Sequence, residues 1–222
     1  MLCIPVTAKD AGEVSVKISE AEKQADIIEL RLDAMPGFRI DTVISRCRKP
    51  VIATYRSVKE GGMGAAGPDA AADILISAAK AGAAFIDVEL GMPDELREKI
   101  ICRKEKSSVI ISSHIMDMTP AACDLSKLLD KSIRAGGDVV KIVSMALEHK
   151  DNLRVLNVVA EAAGKGINII SFCMGPLGQM SRVFSLHMGA YLTFTSLEEG
   201  EESAPGQIPV HEMKRLLNIF PL

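Results

Sequence analysis

The sequence is poor in aromatic residues and contains no tryptophan. Aromatic residues make up 4% of the 222 positions, so stacking platforms for bases or sugars are not expected. No charge of one sign dominates, because the net charge is only -3, and no basic stripe marks a surface for nucleic acid. The 48% of hydrophobic residues suffices for a core of Ile, Val, Leu, Ala and Met. We therefore expect a globular protein that does not bind nucleic acid.

The cysteines are few, and they form no recognisable pattern. Their number, five, is odd, and no two are spaced as C-x-x-C, which excludes a disulfide framework and a zinc site. No apolar run reaches the length of a membrane span, and the first residues lack the features of a signal peptide. These absences predict a cytoplasmic protein with no membrane segment and no bound metal.

Short apolar runs alternate with segments of helical spacing along the whole chain. Runs without polar alternation are typical of strands buried on both faces, as in parallel sheets. Eight such units favour a closed barrel, and we predict an α/β protein with a single (β/α)8 TIM-barrel domain over residues 1–222. The predicted strands are Leu2–Val6, Ile27–Leu30, Val51–Thr54, Phe85–Glu89, Val109–Ser112, Val139–Val143, Ile167–Ser171 and Ala190–Phe194.

An open, doubly wound sheet is the structural alternative. Such a sheet normally has a glycine-rich fingerprint after its first strand, and residues 6–10 contain no glycine. A phosphate-binding Walker loop and an H-E-x-x-H motif are also missing. The sequence thus favours the barrel and predicts no nucleotide, metal or other cofactor.

Ionisable residues gather where the predicted strands end. In a barrel of this type the carboxyl ends of the strands form the active-site face. Several cations together with carboxylates and a histidine would attract an anion and could move protons. The residues concerned are Glu29, Arg31, Arg56, Lys59, Glu60, Glu89, His114, Lys141 and Arg182.

Lys141 lies inside an apolar run, where lysine is rare. It could reach water along its aliphatic stem, or pair with Asp138 or Glu89. Because arginines and a histidine are predicted at the same face, we favour another interpretation. Desolvation and nearby cations would favour the uncharged amine, which is a nucleophile able to condense with a ketone.

Three further features each allow a structural and a functional interpretation. His114 ends a strand, where a histidine serves either packing or acid–base chemistry near neutral pH. Glu29 and Arg31 alternate with apolar residues, as in a rim ion pair or a substrate contact. The segment from Ser203 to Gln207 is either an ordinary loop or a lid over the site.

Seven motifs in the same order resemble the type I 3-dehydroquinate dehydratase family. One such motif would be weak, whereas seven in order across most of the chain are specific. They are residues 29–33 (ELRLD), 54–62 (TYRSVKEGG), 86–90 (IDVEL), 111–114 (ISSH), 140–142 (VKI), 174–182 (MGPLGQMSR) and 203–207 (SAPGQ).

The resemblance implies a reaction and a set of roles. Lys141 would form a Schiff base with the C3 ketone of 3-dehydroquinate, and His114 would act as general acid and base in a syn elimination to 3-dehydroshikimate. Glu60 resembles the carboxylate that orients the histidine. Substrate contacts are implied for Glu29, Arg31, Arg56, Arg182, Ser203 and Gln207. Of these, Arg56 and Arg182 would hold the carboxylate of the substrate. The family belongs to the shikimate pathway, needs no metal and often forms homodimers.

The sequence departs from the family after His114. The family continues with Asp-Phe, whereas Ile115 and Met116 follow here, which predicts different packing beyond the histidine. A class I aldolase or transaldolase would also place a lysine in strand six, but phosphate-binding elements are not evident after strands seven and eight. A barrel that binds a shikimate-pathway acid without catalysis is the other alternative. It would have no need of a nucleophilic amine.

Overall fold

Strands and helices alternate from one end of the chain to the other. The computed structural model describes residues 1–35 and 37–221. The strands are β1 (Leu2–Val6), β2 (Ile27–Arg31), β3 (Val51–Thr54), β4 (Phe85–Glu89), β5 (Ser108–Ile115), β6 (Val139–Met145), β7 (Ile169–Met174) and β8 (Thr193–Phe194). The α-helices are α1 (Ala11–Glu22), α2 (Ile40–Ile44), α3 (Pro68–Lys80), α4 (Asp94–Cys102), α5 (Ala122–Arg134), α6 (Asp151–Gly164), α7 (Gln179–Phe184) and α8 (Val210–Ile219).

All strand pairings are parallel, and the strands follow chain order around the sheet. The order is β7-β6-β5-β4-β3-β2-β1-β8, so that β1 pairs with both β2 and β8. The gap between β7 and β8 is bridged where the Tyr191 N–H donates to the Ile169 carbonyl at 2.7 Å. Eight parallel strands thus form a nearly closed ring, and the predicted (β/α)8 barrel is confirmed. β8 is the weakest part of this ring, since it has two residues.

The core has two layers, because side chains of a strand alternate between its faces. Ile4 and Ile28 point outward and pack under the helices, in the larger cluster of buried residues. Cys3, Ile27 and Phe194 point inward and fill the barrel. Along each strand the inward positions continue, two residues at a time, to the carboxyl end of the barrel. Whatever occupies the last inward positions therefore faces one common space.

Local sequence signals position several helices. The Asp10 side chain caps α1 by accepting from the backbone N–H groups of Gly12 and Glu13 at 2.8 and 2.9 Å. Pro68 begins α3 at a position where the missing N–H costs nothing. No helix in the described part of the chain is long and apolar enough to cross a bilayer.

One predicted boundary differs from the structure in a way that concerns the site. β5 continues to Ile115, because its last residues pair with Val143 and Ser144 of β6, so His114 lies within a strand. Thr119 lies between β5 and α5, and its hydroxyl donates to the Met145 carbonyl at 2.7 Å. This bond fixes the connection that follows β5.

Candidate functional site

A cavity opens at the carboxyl ends of the strands. The lining combines charged groups with an apolar wall that includes Val143, Phe172, Met174 and Phe194. The nine residues to which the family resemblance gives a role all line it, namely Glu29, Arg31, Arg56, Glu60, His114, Lys141, Arg182, Ser203 and Gln207.

The strand pleat explains why these side chains converge. Glu29 lies two residues beyond the inward Ile27, and Lys141 lies two residues beyond the inward Val139. Parallel register then sets the neighbours, since Ser112 of β5 lies beside Lys141 of β6. The charged residues form the layer directly above the apolar filling of the barrel.

Lys141 is 4% exposed, and its ammonium has two carboxylate neighbours. Nζ lies 2.9 Å from Asp87 Oδ2 and 3.5 Å from Glu29 Oε1. It also lies 4.5 Å from the centre of the Phe194 ring, an arrangement that favours a cation. The nearest charges are therefore anions, whereas the sequence suggested a setting dominated by cations.

The pairings proposed as alternatives for Lys141 do not form. The Asp138 carboxylate binds Lys104 at 2.7 Å, on the opposite end of the barrel. Glu89 accepts from Arg56 at 3.0 Å and from the Ser57 backbone at 2.8 Å. The amine of Lys141 remains directed into the cavity.

Asp87 was missed in the sequence, although it belongs to a motif that was recognised. Its Oδ1 accepts from Arg56 Nη2 at 2.8 Å and from the Ser112 hydroxyl at 2.6 Å, and its Oδ2 accepts from Lys141. Burial alone would raise the pKa of Asp87, but Arg56 and Lys141 outweigh it and hold this pKa well below its usual value. The available signal was the spacing of Asp87 and Glu89, which places both on the inward face of β4.

His114 and Glu60 form a hydrogen-bonded pair at the mouth of the barrel. His114 Nδ1 lies 2.9 Å from Glu60 Oε2, and the same oxygen accepts the His114 backbone N–H at 3.1 Å. Because Oε2 also lies 3.2 Å from Arg56 Nη1, it acts as an acceptor, and we assign the proton of the imidazole to Nδ1. Nε2 is then the unprotonated nitrogen and can take up a proton.

Burial shifts both members of this pair. It lowers the pKa of His114 well below its usual value, with help from the nearby Arg56 and Lys141 cations. It raises the pKa of Glu60 to about 7, where Glu89 and Asp87 add to the rise and Arg56 opposes it. A neutral imidazole beside a carboxyl that titrates near pH 7 can exchange protons at physiological pH.

Arg56 is engaged by the protein itself. Nη1 donates to Glu60, Glu89 and Ser112, and Nη2 donates to Asp87, at 2.8 to 3.2 Å. Burial lowers the pKa of Arg56, but the nearby carboxylates outweigh this effect and raise the pKa further above its usual range. The guanidinium thus holds Asp87 and Glu89 of β4 and Glu60 of the connection after β3 in place.

Arg31 and Glu29 lie on the adjoining wall. Arg31 forms two bonds to Asp33, from Nε at 2.9 Å and from Nη2 at 2.8 Å, which is the rim ion pair considered from the sequence. The remaining nitrogen, Nη1, forms no hydrogen bond within residues 1–35 and 37–221 and is available to a ligand. Glu29 Oε1 accepts from the Thr54 hydroxyl at 2.8 Å.

Arg182 is fully buried and largely unpaired. Nη2 donates to the Pro205 carbonyl at 3.0 Å, but Nε and Nη1 have no partner in the described part of the chain. The guanidinium lies 4.4 Å from the centre of the Phe172 ring. Burial lowers the pKa of Arg182 to about 9. An unpaired buried cation is costly, so this arrangement favours an anion in the cavity.

Residues 203–207, the closing segment, lie across the cavity. The Ser203 backbone donates to Gln207 Oε1 at 2.7 Å, and Gln207 Nε2 donates to the Ser203 hydroxyl at 3.2 Å. The segment is attached to the end of β7, because the Gly175 N–H donates to the Pro205 carbonyl at 3.0 Å. The two predicted lid residues therefore stabilise each other and face the same space as Arg182.

Met116, two residues after His114, packs at the mouth of the cavity. Met116 lines the cavity and packs closely against Gly61. A Cβ added at Gly61 would lie only 2.5 Å from Cε of Met116. Gly61 has φ of 80°, so glycine is favoured there by its conformation as well. The chain beyond His114 thus makes a methionine–glycine contact at the mouth.

The fold and the cavity together define a (β/α)8-barrel protein whose site suits a small anion and the movement of protons. Known proteins narrow this class. The family model described as Type I 3-dehydroquinase matches residues 2–221. A curated 3-dehydroquinate dehydratase of Methanococcus maripaludis (strain C7) is 33% identical, with 99% of this chain and 100% of the relative covered.

Solved structures agree with this match. A type I 3-dehydroquinate dehydratase from Clostridium difficile, described with covalent modified comenic acid, has a TM-score of 0.90 at 29% identity, covering 99% of this chain and 91% of that one. The 3-dehydroquinate dehydratase from Geobacillus kaustophilus has a TM-score of 0.88 at 26% identity, covering 99% and 90%. The chain belongs to the type I 3-dehydroquinase family, and its enzyme class is that of a hydro-lyase of the shikimate pathway. The family predicted from the seven motifs is confirmed.

Proposed function

We propose that the chain converts 3-dehydroquinate to 3-dehydroshikimate through a Schiff base on Lys141. The observation that supports this most directly is the convergence of a buried amine, a neutral histidine and an unpaired arginine on one cavity. The covalently modified ligand named for the Clostridium difficile relative is in accord with covalent chemistry in the family. Family membership favours this reaction over the carbon–carbon cleavage of an aldolase.

The substrate is oriented by its carboxylate. Arg182 offers Nε and Nη1 to it, which gives charge-assisted bonds in a dry setting. The resemblance implies that Arg56 also holds the substrate carboxylate, but its nitrogens already donate to Asp87, Glu60 and Glu89. We therefore assign Arg56 the role of holding these carboxylates in place. Ring hydroxyls would bind Arg31 Nη1, Glu29 and the closing segment.

The chemistry then proceeds at Lys141 and His114. Nζ adds to the C3 carbonyl and water leaves, so the nitrogen becomes an iminium that withdraws electrons from the ring. His114 Nε2 removes a proton from C2, and the C1 hydroxyl departs with a proton from the same imidazole. Water attacks the product iminium and frees the amine. The net change is the loss of one water from the substrate.

Borohydride trapping tests the covalent step. The protein is incubated with 3-dehydroquinate, reduced, and digested, and the peptide masses are measured. We expect a ligand-sized adduct on Lys141 and ultraviolet absorbance from the conjugated product. Lys141→Met should abolish both, while Lys104→Met, which alters a lysine at the opposite end of the barrel, should preserve both. Folded protein without an adduct would contradict the Schiff base, and retained ligand binding without turnover would favour the binding-protein alternative.

We also propose that the enzyme is a cytoplasmic homodimer. The five free thiols are in keeping with a reducing compartment. Dimerisation rests on the family resemblance, and the exposed Leu147 and Leu153 offer apolar surface for it. Light scattering on the eluting protein should give twice the chain mass of 23.8 kDa, whereas the mass of one chain would contradict the dimer.

A further inference from the structure

Asp87 lies beneath the amine of Lys141, on the side away from the cavity. The two side chains meet at 2.9 Å between Oδ2 and Nζ, and Asp87 is 1% exposed. Asp87 is not among the residues that line the cavity. The carboxylate therefore touches the reacting nitrogen without facing the substrate ring.

The orientation of this carboxylate is fixed from the other side. Oδ1 accepts from Arg56 Nη2 at 2.8 Å and from the Ser112 hydroxyl at 2.6 Å. These two donors come from the connection after β3 and from β5, so the carboxylate of β4 is held by its neighbours on both sides. Oδ2 is left to point at Lys141 in β6. Glu29 is less suited to this part, since it lies farther away at 3.5 Å and already accepts from Thr54.

We infer that Asp87 is a positioning residue that supplies the permanent counter-charge for the nitrogen of Lys141 before and after imine formation. The inference rests on the proposed function. An ammonium and a ketone give an iminium and one water, so three N–H protons become one N–H and two protons of the water. The nitrogen has one positive charge at both stages. The single remaining N–H donates to Asp87 Oδ2, which fixes the plane of the iminium.

This arrangement keeps the positive charge on the nitrogen paired while the electron sink forms. An anion already held in place costs no reorganisation when that charge passes from the ammonium to the iminium. When the C2 proton leaves, the nitrogen becomes part of a neutral enamine, and the positive charge returns as the hydroxyl departs. By stabilising the cationic forms of the nitrogen, Asp87 opposes the loss of the C2 proton and favours the departure of the C1 hydroxyl, which restores the iminium.

The variant Asp87→Asn tests the inference, because it keeps the shape and removes the charge. We expect kcat to fall about 100-fold, with KM changed less than about threefold, because substrate contacts are untouched. The trapped adduct should form more slowly by a similar factor. The control Glu89→Gln takes a carboxylate from Arg56 but leaves Lys141 alone, so its effect on kcat should remain below about tenfold.

The outcomes separate the two proposals. If the parent protein forms no adduct with 3-dehydroquinate, the proposed function fails. If the parent forms the adduct and Asp87→Asn matches its kcat and trapping rate within about threefold, this inference is overturned, as it is if KM alone changes. Should Asp87→Asn not fold, Ser112→Ala decides, because it removes one of the bonds that orient Asp87. A loss of about 3- to 10-fold in kcat at constant KM supports the inference, and parental kcat overturns it.

Discussion

At the scale of single residues, the pair of Glu60 and His114 predicts how activity depends on pH. The carboxylate form of Glu60 accepts the Nδ1 proton and leaves Nε2 as base. Since burial raises the pKa of Glu60 to about 7, kcat should increase as pH rises through about 7. Glu60→Gln should abolish this increase of kcat with pH and lower kcat about 10- to 100-fold. Steady-state rates between about pH 5.5 and 9 measure both, and an unchanged increase in the variant would assign it to another group.

Replacement of Arg182 should weaken substrate binding and stabilise the folded protein. Arg182→Met removes the anion-binding nitrogens, so KM should rise about 10- to 100-fold. It also removes a buried, unpaired cation that destabilises the folded state. The free energy of unfolding should therefore rise by about 1 kcal/mol, which corresponds to roughly 2–4 °C in Tm. Arg215→Met, on an exposed position of α8, serves as the control and should change neither quantity. A variant with lower Tm and parental KM would place the carboxylate elsewhere.

The site was predictable from the sequence to the extent that it follows from strand ends. Lys141, His114 and Arg182 were all placed at one face, because each follows or lies in an apolar run. Pairing between strands was not predictable in the same way. The contact of Asp87 with Lys141 depends on the register of β4, β5 and β6 and on the tilt of the barrel, which no local pattern records.

At the scale of elements, the closing segment predicts a difference between two glycines. A Cβ at Gly206 would lie 2.3 Å from the Gly175 carbonyl oxygen, at a φ of 76°. Gly200 has a φ of 83° but nothing within 4 Å. Both alanine variants bear the same backbone strain, about 1 kcal/mol, but only Gly206→Ala displaces the segment from β7. We expect KM to rise about tenfold for Gly206→Ala and to remain parental for Gly200→Ala.

Tm and KM of the two variants measure this difference. Equal KM values would mean that contact with Gly175 is unimportant for closure. The boundaries of β1, β3 and β4 were predicted correctly, whereas β7, which was predicted at Ile167–Ser171, is Ile169–Met174. Boundaries were also predicted less well where a turn competes with the strand. Gly189, at a φ of 94°, turns the chain after α7, and the Ala190 N–H donates back to Ser185, so β8 begins only at Thr193.

At the scale of the whole molecule, two buried groups oppose each other in the pH dependence of stability. The folded state holds His114 neutral, so His114 makes stability decrease as pH falls below about 6.5. In the folded state Glu60 remains protonated up to about pH 7, whereas the pKa of Glu60 in the unfolded chain is near 4.5. Glu60 therefore makes stability increase as pH falls from 7 toward 4.5. Each effect is limited to about 1.4 kcal/mol per pH unit, and in the parent they offset each other.

Variants separate the two effects. His114→Asn should be more stable at pH 5 than at pH 7, and Glu60→Gln should be less stable at pH 5 than at pH 7. Urea unfolding at both values measures the difference, with His211→Gln as a control on exposed α8. Slopes of the same sign in both variants would contradict the opposing titrations.

The two-residue strand β8 is also the last strand of the barrel to be synthesised. Strands β2 to β6 and their connections supply Lys141, His114 and their carboxylates, but a domain generally folds as one unit. The ring closes only after Thr193 and Phe194 have been made. Arg182 and residues 203–207 belong to the same late part of the chain. A chain cut before Gln179 would therefore contain the amine and its acid–base partners but would lack the strand that closes the ring, Arg182 and the closing segment.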